Sequence, residues 1–166
     1  DASGENVMDE ERPPKYPGMS RGESRVWHQF LKSGNLPKGA LYYNVRVGNP
    51  IPAEPGAEPW VSVVRNATSR KRLDAVVDDG EWWWLFEVKI RAGLSAIGET
   101  IGYEYLFNVA IAGAKPVVEI IVCDYVSRDV DVIAEHEGIG LYVVQWYPTA
   151  KWIPPALAGL YPRKGR

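Results

Sequence analysis

Cysteine is almost missing from this chain: a single residue, Cys123, in 166. No intramolecular disulfide can form, and with only two histidines a Cys/His zinc site is not expected. Cys123 lies in the apolar run VVEIIVC and reads as a buried strand residue, with a reducing cytoplasm as the default expectation. Long apolar runs are missing too. None approaches the ~20 residues of a membrane span, and the N-terminal stretch is acidic where a secretion signal would be basic. There is no internal repeat. Positive charge is not in excess: 19 Lys and Arg stand against 21 Asp and Glu, so the net charge of −2 does not advertise a nucleic-acid binder. The balance is uneven, however. Residues 1–11 carry five acids and no base, and the remainder holds 19 bases against 16 acids.

What is present is an ordinary globular composition, 46% hydrophobic and 24% charged, long enough for one domain with a real core. Residues 1–19 are polar and proline-rich and read as a loosely docked arm. Ser20-Arg21-Gly22-Glu23 matches a capping box and opens a helix to about Lys32, with Val26, Trp27, Phe30 and Leu31 as its apolar face. Leu41–Val47 reads as a strand, and GNPIPAEPGAEP after it as a loop. Trp60–Arg65 reads as another strand, or as a continuation of the first after an insertion. Past residue 94, Ser95–Ala112 suits a helix closed by Gly113. Val117–Cys123 suits a central strand buried on both sides. Ser127 caps a short helix ended by Gly138, and Leu141–Val144 is a last strand. The order predicts a three-layer α/β/α domain over residues 20–145, with a mixed sheet of about five strands and a C-terminal extension over 146–166.

The stretch RLDAVVDDGEWWWLFEVK, residues 72–89, predicts a hairpin turning at Asp79-Gly80. In that register Val76 faces Trp83, Asp74 faces Leu85 and Arg72 faces Glu87. Asp74, Glu87 and Lys89 then share one side of the sheet, the two carboxylates being diagonal neighbours roughly 7–8 Å apart. Two readings fit. The acids and Lys89 form a surface ion-pair cluster, or the two carboxylates hold a Mg²⁺ ion, which takes hard oxygen ligands from one or two carboxylates, water and substrate phosphate. In the second reading Lys89 orients or helps deprotonate a water, or stabilises the charge at phosphorus.

Asp74, twelve intervening residues and then Glu87-Val88-Lys89, set between two helices, resemble the PD-(D/E)XK nuclease superfamily. The likeness covers about residues 20–144, with Leu73 where the motif name has Pro. It implies a restriction-endonuclease-like fold and a metal-dependent nuclease, with DNA as the substrate first expected. It also implies Mg²⁺, or Mn²⁺ in its place, held by Asp74, Glu87 and the carbonyl of Val88, with Lys89 as the motif lysine. Small relatives that cut both strands as dimers make a homodimer one arrangement to expect. Glu23 matches the acid that many members carry in the first helix, alongside its capping role. Glu99 and Tyr103 have the spacing of a Gln-x-x-x-Tyr motif, with Glu in place of Gln. Tyr103 fits a core role equally. Arg65, Arg70, Lys71 and Arg72 are either a phosphate-tracking cluster or a solvated loop. Trp82 and Trp84 are expected in the core with Phe86, and Trp83 on the acidic face, packed on the first helix or stacked on a base. His28 points away from Glu23, and His136 suits a helix C-terminus. A non-catalytic binding module on the same fold is the rival function.

Overall fold

A computed structural model describes residues 12–146; the expected acidic end of the N-terminal arm and nearly all of the C-terminal extension lie outside the described residues. The chain forms α1 (Arg21–Lys32), β1 (Ala40–Val47), α2 (Pro59–Ser69), β2 (Lys71–Asp78), β3 (Trp83–Ala92), α3 (Leu94–Phe107), β4 (Val117–Val126), α4 (Arg128–Glu137) and β5 (Gly140–Val143). The five strands make one mixed sheet in chain order. β1, β2 and β3 pair antiparallel; β3, β4 and β5 pair parallel. Each parallel step needs a crossover, and α3 and α4 supply the two. Among the described residues no helix is long and apolar enough to cross a membrane.

Alternation along the strands divides the core between the two faces of the sheet. On one face Trp84, Phe86 and Val88 of β3 pack with Val26, Trp27 and Phe30 of α1. On the other, Ile121, Cys123 and Leu141 pack with Ala96 and Ile97 of α3 and Val130 and Ala134 of α4. Helices therefore cover both faces. Local signals act as expected at several ends. Ser20 and Glu23 form a complete capping box. Ser127 caps α4, and Gly138 closes it with a φ of 73°. The helix after the hairpin continues from α3 as a π-helical turn, Asn108–Ala112, up to Gly113 at φ 61°.

Two expectations fail. Trp60–Arg65 is not a strand but part of α2. Pro59 at its first turn suits a helix start, and Trp60, Val63 and Val64 have the i, i+3, i+4 spacing of a helix face. That face is exposed, Trp60 at 65% and Val63 at 69%. The hairpin also turns one residue later than expected. Asp79 N–H donates to the Trp82 carbonyl, so the central pair is Gly80-Glu81, with Gly80 at φ 96°. Glycine with positive φ at the first central position is what a type II′ turn requires. The Asp79 carboxylate selects this turn: its Oδ1 accepts the N–H groups of Glu81 and Trp82. A turn displaced by one residue moves every partner by two. Val76 faces Leu85, not Trp83, and the faces are preserved.

Candidate metal and substrate site

The displaced register brings the acids closer than expected. The β2–β3 ladder ends at Ala75–Phe86; one step further in the same register, Asp74 stands directly opposite Glu87 instead of diagonally. There Val88 N–H donates to Asp74 Oδ2 at 2.8 Å, fixing that carboxylate against β3. Glu87 is buried, 5% exposed. The Lys89 ammonium donates to Glu87 Oε1 at 2.6 Å and to Glu99 Oε2, one turn into α3, at 2.7 Å. Tyr103 follows Glu99 by four residues on the same helix face. These five side chains line one cleft of about 380 Å³, whose rim carries Arg70, Lys71 and Arg72.

Burial sets the electrostatics. It pushes the Asp74 carboxyl up to about 6, against the opposing pull of the Val88 N–H and the Lys89 charge. Glu87 goes up to about 8, from burial first and the Asp74 charge second. Lys89 would lose its proton more easily for being buried, but its bonds to Glu87 and Glu99 outweigh this and hold it well above the ordinary lysine range. Burial also acts to raise Glu99; the Lys89 ammonium and the nearby Glu87 carboxyl overcome it, and Glu99 is lowered. Tyr103 is raised by burial and then by Glu87 and Glu99. Two facing carboxylates thus resist ionising together, although a lysine sits beside them.

That is a demand for more positive charge. Glu87 Oε2 is buried and receives no donor, which costs on the order of 1–3 kcal/mol unless something binds it. Among the described residues no three His, Cys, Asp or Glu side chains form a ready metal cage. Mg²⁺ needs none, since it keeps several waters and takes one or two carboxylates. Asp74 Oδ1 and Glu87 Oε2 are hard oxygens of the right kind, so the donor set fits a hard divalent cation.

Other expected site residues lie apart. One oxygen of Glu23 accepts the Ser20 N–H at 2.8 Å, so the capping role is the one observed, though its charge is close enough to raise Asp74. Arg65 donates to the Pro52 carbonyl at 3.0 Å and does not line the cleft. Trp83 packs on the far end of α3, not on α1. Its ring meets Phe107 edge-on at 5.3 Å, its N–H donates to the Ala112 carbonyl, and Lys115 covers its face at 4.4 Å. It is not free to stack on a base. His28 bonds Tyr16 at 2.9 Å, and His136 bonds Glu137 at 3.3 Å.

Sequence reasoning missed Asn44. It lies in β1 opposite Asp74, interrupts the pairing between Tyr43–Ala75 and Val45–Leu73, and holds φ at 56°. Among the described residues it is the one non-glycine with positive φ, and its side chain lines the cleft. Strain of this kind is kept where the surroundings over-determine it, often at functional sites. The only advance signal was residue type, since Asn tolerates this conformation better than most. Compared with known proteins, the chain matches no family model, no curated protein and no solved structure.

Proposed function

We propose that this chain is a Mg²⁺-dependent nuclease of restriction-endonuclease-like fold, hydrolysing phosphodiester bonds, with DNA as the preferred substrate. The observation that carries the reading is the facing pair Asp74–Glu87: two carboxylates with raised pKa values at the point where a hairpin opens, one with a buried oxygen that receives no donor. Asp74, Glu87 and the Val88 carbonyl would hold the ion. Bound there, it supplies neutralising charge at phosphorus and lowers the pKa of a water.

The chain's own groups do the rest. Val88 N–H fixes the Asp74 carboxylate. Glu99 accepts a second hydrogen bond from the Lys89 ammonium, beside Glu87. With its proton held firmly, Lys89 acts as a donor toward a phosphate oxygen or the attacking water, not as a proton acceptor. Arg70, anchored by its Nε–H to the Gly48 carbonyl at 2.9 Å, and Lys71 and Arg72 beside it set positive charge on the rim, where a phosphate backbone approaches. Asn44 adds a carboxamide with both donor and acceptor groups.

One feature favours a second reading, a non-catalytic nucleic-acid-binding module: the clamp of Lys89 between two glutamates leaves its charge internally balanced. A cleavage panel separates the two. Linear, nicked, branched and single-stranded DNA, with matching RNA, are incubated with Mg²⁺, Mn²⁺ or chelator. Metal-dependent cutting that is lost in Lys89→Ala is expected. Cutting by neither protein, or equal cutting by both, overturns the nuclease reading.

A further inference from the structure

A second cleft, of about 360 Å³, is lined by Arg12, Lys15, Arg21 and Arg25, and among the described residues no acidic side chain lines it. Among the described residues, only Arg25 of the four has a carboxylate partner, Asp124, at 2.6 Å. Arg21 and Arg25 share one face of α1 by their i, i+4 spacing. The segment carrying Arg12 and Lys15 is fixed even though it forms no regular element: Tyr16 N–H donates to the buried Ser24 Oγ at 3.1 Å, and Met19 is 2% exposed. The segment therefore has a firm base, and four basic side chains gathered in one cleft favour an anionic occupant.

Two features place this cleft near the first. Gly18, three residues after Lys15, lines the first cleft, and three residues span at most about 11 Å. Gly22 of α1 packs so tightly on Ile90, the neighbour of Lys89, that no side chain fits there without displacing it. The Lys15–Gly18 separation is thus at most about three nucleotides at ~3.4 Å of axis per strand phosphate.

We propose that the Arg12–Lys15–Arg21–Arg25 cleft is a second phosphate-binding surface, gripping the nucleic-acid backbone a few nucleotides from the bond held at Asp74 and Glu87. The proposal rests on the nuclease reading and extends it. It assigns a substrate whose backbone passes the N-terminal end of α1 as well as the Arg70–Arg72 rim, with contacts that do not depend on base sequence.

The test is equilibrium binding of labelled 30-nucleotide single-stranded and 30-base-pair DNA to the full chain in chelator, so that no cutting intervenes, at several salt concentrations. The triple variant Arg12→Gln/Lys15→Gln/Arg21→Gln is expected to bind at least about tenfold more weakly, with a salt slope shallower by about 2–3 for duplex, near 0.9 per lost phosphate contact. The single variant Arg21→Gln, whose fold is checked by its melting curve, should lose about 1 from the slope. If the wild type binds and cuts DNA and both variants bind with unchanged affinity and slope, this proposal fails while the nuclease reading stands. Should the wild type bind no nucleic acid at all, both fail. If the substitutions abolish binding to phosphatidylserine vesicles and leave DNA binding intact, the cleft is a membrane-docking surface and the proposal is overturned.

Discussion

The β2–β3 hairpin carries acids at each end, each end meeting a lysine, and the two ends behave oppositely. At the turn, Asp78 Oδ1 takes Gly80 N–H and the Lys115 ammonium. Asp79 takes the N–H groups of Glu81 and Trp82 and the Trp84 indole N–H. Both carboxyls lie below their ordinary range: Asp78 through its hydrogen bond to Lys115 first, Asp79 because Trp84 and the two backbone donors outweigh partial burial. At the open end Asp74 and Glu87 lie above theirs, and a buried Glu87 oxygen has no donor. Both ends carry carboxylates, and the outcome differs because burial outweighs the donors at the open end while donors outweigh burial at the turn. The turn turns backbone N–H groups toward its acids; the open end sets acid against acid. An ion-pair cluster that only holds structure looks like the turn. The open end instead leaves a buried carboxylate oxygen without a donor.

The sharpest way to break this comparison is to remove the lysine at each end. Lys89→Ala is expected to cut metal-dependent cleavage by about 10²–10³-fold, the usual cost of losing one preorganised electrostatic group. Lys115→Gln should leave the cleavage rate unchanged. Single-turnover rates on one DNA substrate read both. Equal losses at the two ends would make the open end no more special than the turn.

Stability should respond in the reverse order. Asp79→Ala removes three accepted hydrogen bonds, one from the fully buried Trp84, and should cost about 2–3 kcal/mol in urea unfolding. Glu87→Gln is expected to stabilise the metal-free protein at pH 8, because it removes a charge that burial and Asp74 both disfavour. A loss of stability in Glu87→Gln as large as that in Asp79→Ala would show the two ends to be equally structural.

The same pKa shifts fix a pH dependence. Asp74 and Glu87 rise from ordinary values of 3.8 and 4.5 to about 6 and about 8 on folding. Between those limits the folded state binds more protons than the unfolded state, so stability falls as pH rises. In chelator the melting temperature of the wild type should drop between pH 5 and pH 8.5 relative to Glu87→Gln. Mg²⁺, which needs both carboxylates ionised, should restore it at pH 8.5 and do little at pH 5. Parallel pH profiles for the two proteins would contradict the raised values. Asp78 and Asp79 are shifted the other way, so their stabilising effect is present above pH 4 and lost below it.

How much of this was legible beforehand follows from what each signal encodes. Side-chain parity along a strand survives a two-residue error in register, which is why Asp74, Glu87 and Lys89 were placed on one face although the turn was set a residue early. Capping patterns act within four residues, so α1 and α4 began where Ser20 and Ser127 predicted. Residue type misled at α2, because Trp and Val favour strands while their spacing favoured a helix. The carboxylate at Asp79 chose the turn through contacts that no propensity describes. The basic cleft was invisible, since Arg12 and Lys15 lay in an apparent tail and Arg21 and Arg25 in an ordinary amphipathic helix. Only the fold gathers them into one cleft.

The smallest expected effect concerns β1, which runs alongside both ends of the hairpin. At the turn end Ala40 pairs normally with Asp78; opposite Asp74, Asn44 leaves the ladder at φ 56°. Asn44→Gly keeps that backbone and removes its strain, so a gain of about 0.5 kcal/mol is expected, the relief being partly offset by glycine's greater unfolded-state freedom. Asn44→Ala keeps the strain and should lose stability instead. Both variants lack the carboxamide and should cleave more slowly by the same factor. The signature of a strained residue kept for function is therefore two substitutions that split in melting temperature and agree in rate. If glycine and alanine lower the melting temperature equally, the unusual φ stores no strain, and Asn44 belongs with the satisfied residues of the turn and not with the open end.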